Sequence, residues 1–240
     1  MKLSLLRKRP LFIDPSCVLY LDGNKSVPNS NELRDISGKN NHGTLVGVTW
    51  TKLPSGLWVS SLDGTDDLIN INAAVNDLAT STVGTWEGWV KQTVLGGGMF
   101  IAFGDTDAVT EIYLALAADG TVAAVLDKTG TRQWRVYTNA AALVANTWVH
   151  LAITHNATTP VLYVNGVAVA QTFEVSTDKT AWFSAVPGID NGRIGCRNYN
   201  SAGNASFLTF TSAETRIYTR VFTAAELLSH YNQERSKFGV

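Results

Sequence analysis

The 240-residue chain is poor in cysteine (2), methionine (2), proline (6) and histidine (4), and its 19 Lys and Arg almost cancel its 20 Asp and Glu, leaving a formal charge of −1. Each scarcity excludes something. Binding a phosphate backbone takes a concentrated basic face, so the charge balance argues against nucleic acid as a partner. No window approaches the roughly 18 uninterrupted apolar residues of a membrane-spanning helix. Cys17 and Cys196 lie far apart and lack any metal-ligand spacing. A bridge between them is open, but without a sign of an oxidising compartment free buried thiols are expected. The opening MKLSLLRKRPLFIDPS does not read as a secretory signal, because LFI meets Asp14 and Pro15 at once, whereas a signal needs an apolar stretch of about seven residues or more.

The one basic cluster is Arg7, Lys8 and Arg9. Residues 1–16 are therefore read as an N-terminal basic arm, either docking on another subunit or an acidic surface or simply solvated. Residues 17–240 are expected to form one all-β domain, a class that often runs long. Apolar residues at 45%, charged residues at 16% and 20 glycines suit a globule with many turns.

Short β-branched and aromatic runs closed by Gly, Asn, Asp or Ser recur almost to the end. Two hairpins are marked by Asp119-Gly120 and Asn165-Gly166, pairs that accept the positive φ of tight primed turns. Around the first, Ile112, Leu114 and Leu116 alternate in step with Val122, Ala124 and Leu126, so that face is predicted core. In RQWRVYT, Trp134 and Val136 point one way and Arg135 and Tyr137 the other. TWVHLAITH is apolar on both faces and is predicted to be a central strand. Many antiparallel strands with no fixed-period repeat and no alternating helices predict a β-sandwich of two antiparallel sheets. One helix is predicted, in TAAELLSHYNQERSKF, where Thr223 and Glu226 form a capping box. Two polar loops, EVSTDKTAWFSAVPGIDNG and NYNSAGNAS, are the candidates for a recognition surface.

The ordered motifs VLYLDG, DISGKNNHGTLVGVTW, SLDGTDDLININ, GTWEGWVK, NTWVHLAITHNATTPVLYVNGVAVA, GRIGCRN and TRIYTRVFTAAELLSHYN resemble the laminin-G-like members of the concanavalin A-like lectin/glucanase superfamily. The resemblance covers roughly residues 17–235 and implies a jelly-roll of two large antiparallel sheets. The basic start and the wording NHGTLVGVTWTKLPSGLWVSSLDGTDDL also resemble versions encoded by phages and other viruses of prokaryotes.

His42 sits among Ser37, Gly38, Asn40, Asn41 and Gly43, which favour turns, and is read as a turn residue. His150 and His155 are an odd number apart and face opposite ways, and His230 is in the helix, so no histidine pair has a ligand spacing. Glycosidases of the superfamily use acids alternating along one strand, and no E-x-D-x-x-E run exists here. Glu87 and Glu111 are single acids on strands and are expected to face solvent. There is no G-x-S-x-G elbow or Cys-His pair, so no catalytic residue is expected. Asp63, Asp66 and Asp67, with Asp22 and Asp35, are candidate calcium ligands, weighed against a tight turn in LDGTDD. The family's usual I-D-E-V wording is replaced by SAETRIY, with Ala213 at the aspartate position, which speaks against calcium; no other cofactor is expected. Trp182, Phe183, Tyr199 and Asn200 are candidate sugar-binding residues, since exposed rings beside polar groups can stack on a pyranose. The alternative is that Trp182 and Phe183 plug the sandwich edge.

The expected function is a non-enzymatic structural or binding protein of a virion surface, as a capsid decoration or tail-associated component assembled in the host cytoplasm. Its expected partners are other virion proteins, further copies of itself as a homo-oligomer, and cell-surface glycans. The alternatives are a carbohydrate-binding module of a cellular protein and a diverged glycoside hydrolase.

Overall fold

The structure, a computed structural model, describes residues 13–240. Arg7, Lys8 and Arg9 of the expected arm lie outside the described residues. The chain folds into two large antiparallel sheets and a C-terminal helix, the sandwich expected from the alternation of its apolar residues.

The first sheet has eight strands: β1 (Cys17–Leu21), β4 (Thr49–Lys52), β5 (Trp58–Asp63), β7 (Gly84–Lys91), β12 (Val149–His155), β13 (Pro160–Val164), β14 (Val167–Ala168) and β19 (Thr209–Tyr218). Their order is β14-β13-β12-β7-β19-β5-β4, with β1 also paired to β19. The second sheet has nine. They are β2 (Glu32–Leu33), β3 (Gly43–Val46), β6 (Leu68–Asn70), β8 (Gly98–Gly104), β9 (Glu111–Leu116), β10 (Val122–Lys128), β11 (Thr131–Thr138), β15 (Gln171–Ser176) and β16 (Asn191–Ile194). Their order is β15-β11-β10-β9-β8-β16-β6-β3-β2. A two-stranded ribbon, β17 (Arg197–Asn198) and β18 (Asn204–Ala205), pairs with the strands of neither sheet. A single helical turn, α1 (Val75–Leu78), precedes β7, and α2 (Ala224–Phe238) ends the chain.

The core lies between the sheets, where every second residue of each strand meets its counterpart: Trp86 and Val90 from β7, Leu151 and Ile153 from β12, Ile112, Leu114 and Leu116 from β9, and Trp134 and Val136 from β11. Burying each such side chain contributes about 1.5–3 kcal/mol, which makes this alternation the main source of the register. Val149–His155 of TWVHLAITH is buried on both faces, as predicted for a central strand, because α2 covers the side that the second sheet does not.

The predicted capping box is present, with Thr223 and Glu226 exchanging side-chain-to-backbone bonds, and Gly239 ends the helix at φ 75°. Leu227 packs with Ala152, Tyr163, Tyr218 and Phe222, and Phe238 packs with Trp89 and Trp148. The Asn165-Gly166 turn presses on the helix so closely that a Cβ on Gly166 would lie 2.6 Å from Leu228 Cα. Cys17 and Cys196 are free and buried.

Candidate functional site

On the outer face of the nine-stranded sheet, alternation places Glu111, Tyr113 and Ala115 of β9 opposite to the core leucines. Register then builds a transverse row of Asn70, Arg193, Ala102, Tyr113, Val125 and Arg135 across six strands. The adjacent row runs Gly104, Glu111, Asp127 and Arg132. Met99, Tyr113, Ala115, Val125 and Arg135 line a depression of about 220 Å³ on this face.

The β17–β18 ribbon is clamped against the same face. Arg193 donates from Nε to Asn204 Oδ1 at 3.2 Å, and its Nη1 donates to Gly192 O at 2.8 Å and to Asn72 Oδ1. Arg197 Nη1 donates to Glu111 Oε1 at 2.8 Å, while its guanidinium carbon lies 4.5 Å from the Tyr199 ring centre and 5.8 Å from that of Tyr113. Gly104 permits the approach, since a Cβ there would fall 2.3 Å from Asn198 O. The tip is fixed as well: Asn200 N donates to Asp105 O at 3.0 Å and Ser201 N to Thr106 O at 2.5 Å, with positive φ at Asn200, Ser201 and Gly203. Such a ribbon offers Tyr199, half-buried, and Asn200, exposed, from a pre-ordered backbone.

Glu111 is 2% exposed, and its Oε2, like Arg197 Nε, has no hydrogen-bond partner among the described residues. Burial pushes the Glu111 carboxyl up to about 7; the Arg197 guanidinium beside it pulls down, while Asp127 adds to the rise. Asp127 spends both oxygens on Arg132, at 2.8 and 2.9 Å. Both carboxylates of the second row are thus engaged by guanidinium groups, Glu111 by Arg197 and Asp127 by Arg132. The rings, guanidinium and amides of this face can stack on and hydrogen-bond a ligand.

A second polar constellation lies between the eight-stranded sheet and α2. Glu87, expected at the surface, has no exposure, because the helix covers the face it occupies. Glu111 is likewise buried, under the ribbon. Around Glu87 are His230 Nδ1 at 2.9 Å, Arg216 Nη1 at 3.2 Å and His150 Nε2 at 3.3 Å. Arg216 also meets Glu214 at 2.9 Å, as well as Glu234, and Tyr20 donates to Glu214 Oε2 at 2.6 Å. His150 and His230, which share no ligand spacing in sequence, therefore converge on one carboxylate through the fold.

The remaining predicted residues fall as follows. Trp182 and Phe183 are 1% and 2% exposed and belong to the core. Trp182 packs on Trp86 at 5.5 Å and on His155 at 4.8 Å, so neither face of its ring is open to a sugar. These two rings plug the sandwich, and only Tyr199 and Asn200 of the four reach the candidate face. Asp63, Asp66 and Asp67 do come together, with one oxygen each within 4.8 Å, Asp67 buried and the others exposed. They also close a turn: Asp63 N donates to Asp67 Oδ2 at 2.9 Å and Thr65 N to Asp63 Oδ1 at 2.7 Å. Asp35 accepts from the backbone of Tyr20, Ser37 and Asn41, so its oxygens are engaged by the loop. Asp22 caps a short helical turn through Asn24 N. His42 Nδ1 accepts from Asp35 N at 3.0 Å, a turn-closing bond as predicted.

Arg193, Arg197 and Tyr113 were not among the sequence candidates. The signals existed: Arg193 and Arg197 stand four apart in GRIGCRN, and Glu111 and Tyr113 share a strand face at a spacing of two.

A laminin G family model described as concanavalin A-like lectin/glucanases superfamily matches residues 63–228. No curated protein matches the chain in sequence. Among solved structures, the CBM40 of a Ruminococcus gnavus IT-sialidase bound to α2,3-sialyllactose is similar at a TM-score of 0.61 and 17% identity, covering 72% of this chain and 95% of that one. The receptor-binding domain of a botulinum neurotoxin C/D mosaic serotype is similar at 0.64 and 14%, covering 91% of this chain and 51% of that one. A K499G mutant of NanB sialidase from Streptococcus pneumoniae is similar at 0.61 and 15%, covering 70% of this chain and 27% of that one. These identities speak for a shared fold.

Proposed function

The chain belongs to the laminin G family of the concanavalin A-like lectin/glucanases superfamily, and from that premise we propose that it is a non-catalytic module that binds glycans at the clamped ribbon on its nine-stranded sheet. One observation carries the reading: Arg197 lies against the rings of Tyr113 and Tyr199 and holds Glu111, next to the exposed Asn200. A ring edge, a fixed cation and a free amide on one rigid support are what a sugar needs for stacking and directed hydrogen bonds. The CBM40 neighbour bound to sialyllactose makes sialylated sugars the first ligands to try. The proposed setting is the virion surface expected from the sequence, the module being held there by its own copies or by other virion proteins. Recovery of the chain with purified particles tests that setting.

The binding proposal is tested on a glycan array with the wild type, Tyr199→Ala and Arg197→Lys, each checked for an unchanged melting temperature. Saturable binding by the wild type that falls tenfold or more in Tyr199→Ala is the expected result. Binding that both variants retain in full would move the site elsewhere.

A further inference from the structure

Glu87 is a carboxylate without solvent contact, and three elements bring basic side chains to it: His230 from α2, Arg216 from β19 and His150 from β12. His150 Nε2 faces Glu87 Oε2 at 3.3 Å, and neither ring nitrogen of His150 has a hydrogen-bond partner among the described residues. Tyr218 of β19 donates its hydroxyl at 3.4 Å to Glu87 Oε1, the oxygen that His230 and Arg216 also meet. His230 is also flanked by Glu234 of its own helix and packs edge-on against Phe222, with ring centres 5.2 Å apart. Its imidazole opens on a cavity of about 310 Å³ that Cys17 and Tyr20 of β1, Arg216, Arg220 and Glu234 also line. The side chain of His230 is 30% exposed, against none for Glu87, so protons reach one partner of the pair from solvent.

We propose that α2 is a proton-controlled latch: protonated His230 locks the helix onto Glu87, and loss of that proton loosens the helix from the outer face of the eight-stranded sheet, widening the cavity beside it. The latch stands independently of the glycan-binding reading, because it lies on the other sheet.

The sign follows from linkage. Burial pulls the His230 imidazole down, but the hydrogen bond and charge of Glu87 outweigh it and hold the group above its ordinary 6.5, whereas a released helix returns it to that value. The contribution is therefore complete below about pH 6.5 and is lost as pH rises through the folded-state value. Burial pushes Glu87 up, yet the two histidines and Arg216 together hold it well below the carboxylate range, so it stays charged throughout this window.

The test is amide hydrogen exchange of the full chain between pH 6 and 9, corrected for intrinsic rates. Protection of residues 224–238 is expected to fall with rising pH, about tenfold for every pH unit by which His230 titrates above 6.5. His230→Gln, which keeps a hydrogen bond but cannot take the charge, is expected to abolish that dependence, and His150→Gln to preserve it. Equal pH dependence in the wild type and His230→Gln would overturn the latch, as would loss of protection in β12 in step with the helix. Should His230→Gln fail to fold, the imidazole of His230 is titrated by NMR in the wild type, where a value at or below 6.5 refutes the proposal and a higher one upholds it.

Discussion

Trp89 Nε1 donates to Glu234 Oε2 at 2.8 Å across 145 positions of sequence, and the other oxygen of the same carboxylate takes Arg216. One acid on α2 thus satisfies a buried indole from β7 and a buried guanidinium from β19. Tyr231 and Phe238 of the helix stack on the Trp89 ring, at 5.6 and 4.2 Å. The polar and the aromatic halves of the helix interface share that residue.

Glu234→Ala is expected to destabilise the fold by about 2–4 kcal/mol, since it strands the Trp89 N–H and takes one acid from Arg216. Glu234→Gln keeps an acceptor for the indole and is expected to cost less, about 1–2 kcal/mol. Urea denaturation monitored by tryptophan fluorescence gives both values, and equal losses in the two variants would contradict the assignment.

Glu111 gives a second expectation, this time in pH. Its folded-state value, up at about 7 against 4.5 for the free side chain, means that its favourable contribution is complete below about pH 4.5 and disappears as pH rises through 7. Across that interval the loss amounts to about 3 kcal/mol. Glu111→Gln is expected to remove this slope from the pH profile of unfolding free energy, and a profile unchanged by the substitution would show that the carboxyl titrates elsewhere.

Trp182→Ala is expected to behave as a core deletion. Loss of an indole packed between Trp86, Trp134 and His155 costs about 3–5 kcal/mol, or a melting temperature lower by roughly 10 °C. Differential scanning calorimetry reads it. A variant that melts like the wild type would return the ring to the surface, where the sequence alone had made it a sugar-binding candidate.

Most of the sandwich was legible in the sequence because its cause is local: period-two alternation, Asp-Gly and Asn-Gly turns, and a capping box each span a few residues. The turn role of His42 was equally readable from its neighbours. Burial of Glu87 and Glu111 was not, because a lone acid on a strand reads as solvent-facing until something distant covers it. Here the covers are a helix some 140 residues downstream and a ribbon some 86 residues downstream. Trp182 and Phe183 misled for the converse reason: a polar loop that dips inward carries no periodic signal. Asp63, Asp66 and Asp67 meet because a turn of five residues leaves them little choice.

The position of β19 has a consequence for how the protein is made. This strand lies in the middle of the eight-stranded sheet, between β7 and β5 and with β1 alongside, though it comes well after all three in sequence. While the ribosome is still working, β7 and β5 lack their neighbour and β1 lacks its partner. Closure of that sheet therefore waits until residues 209–218 have been made, and the nascent chain carries open strand edges until then.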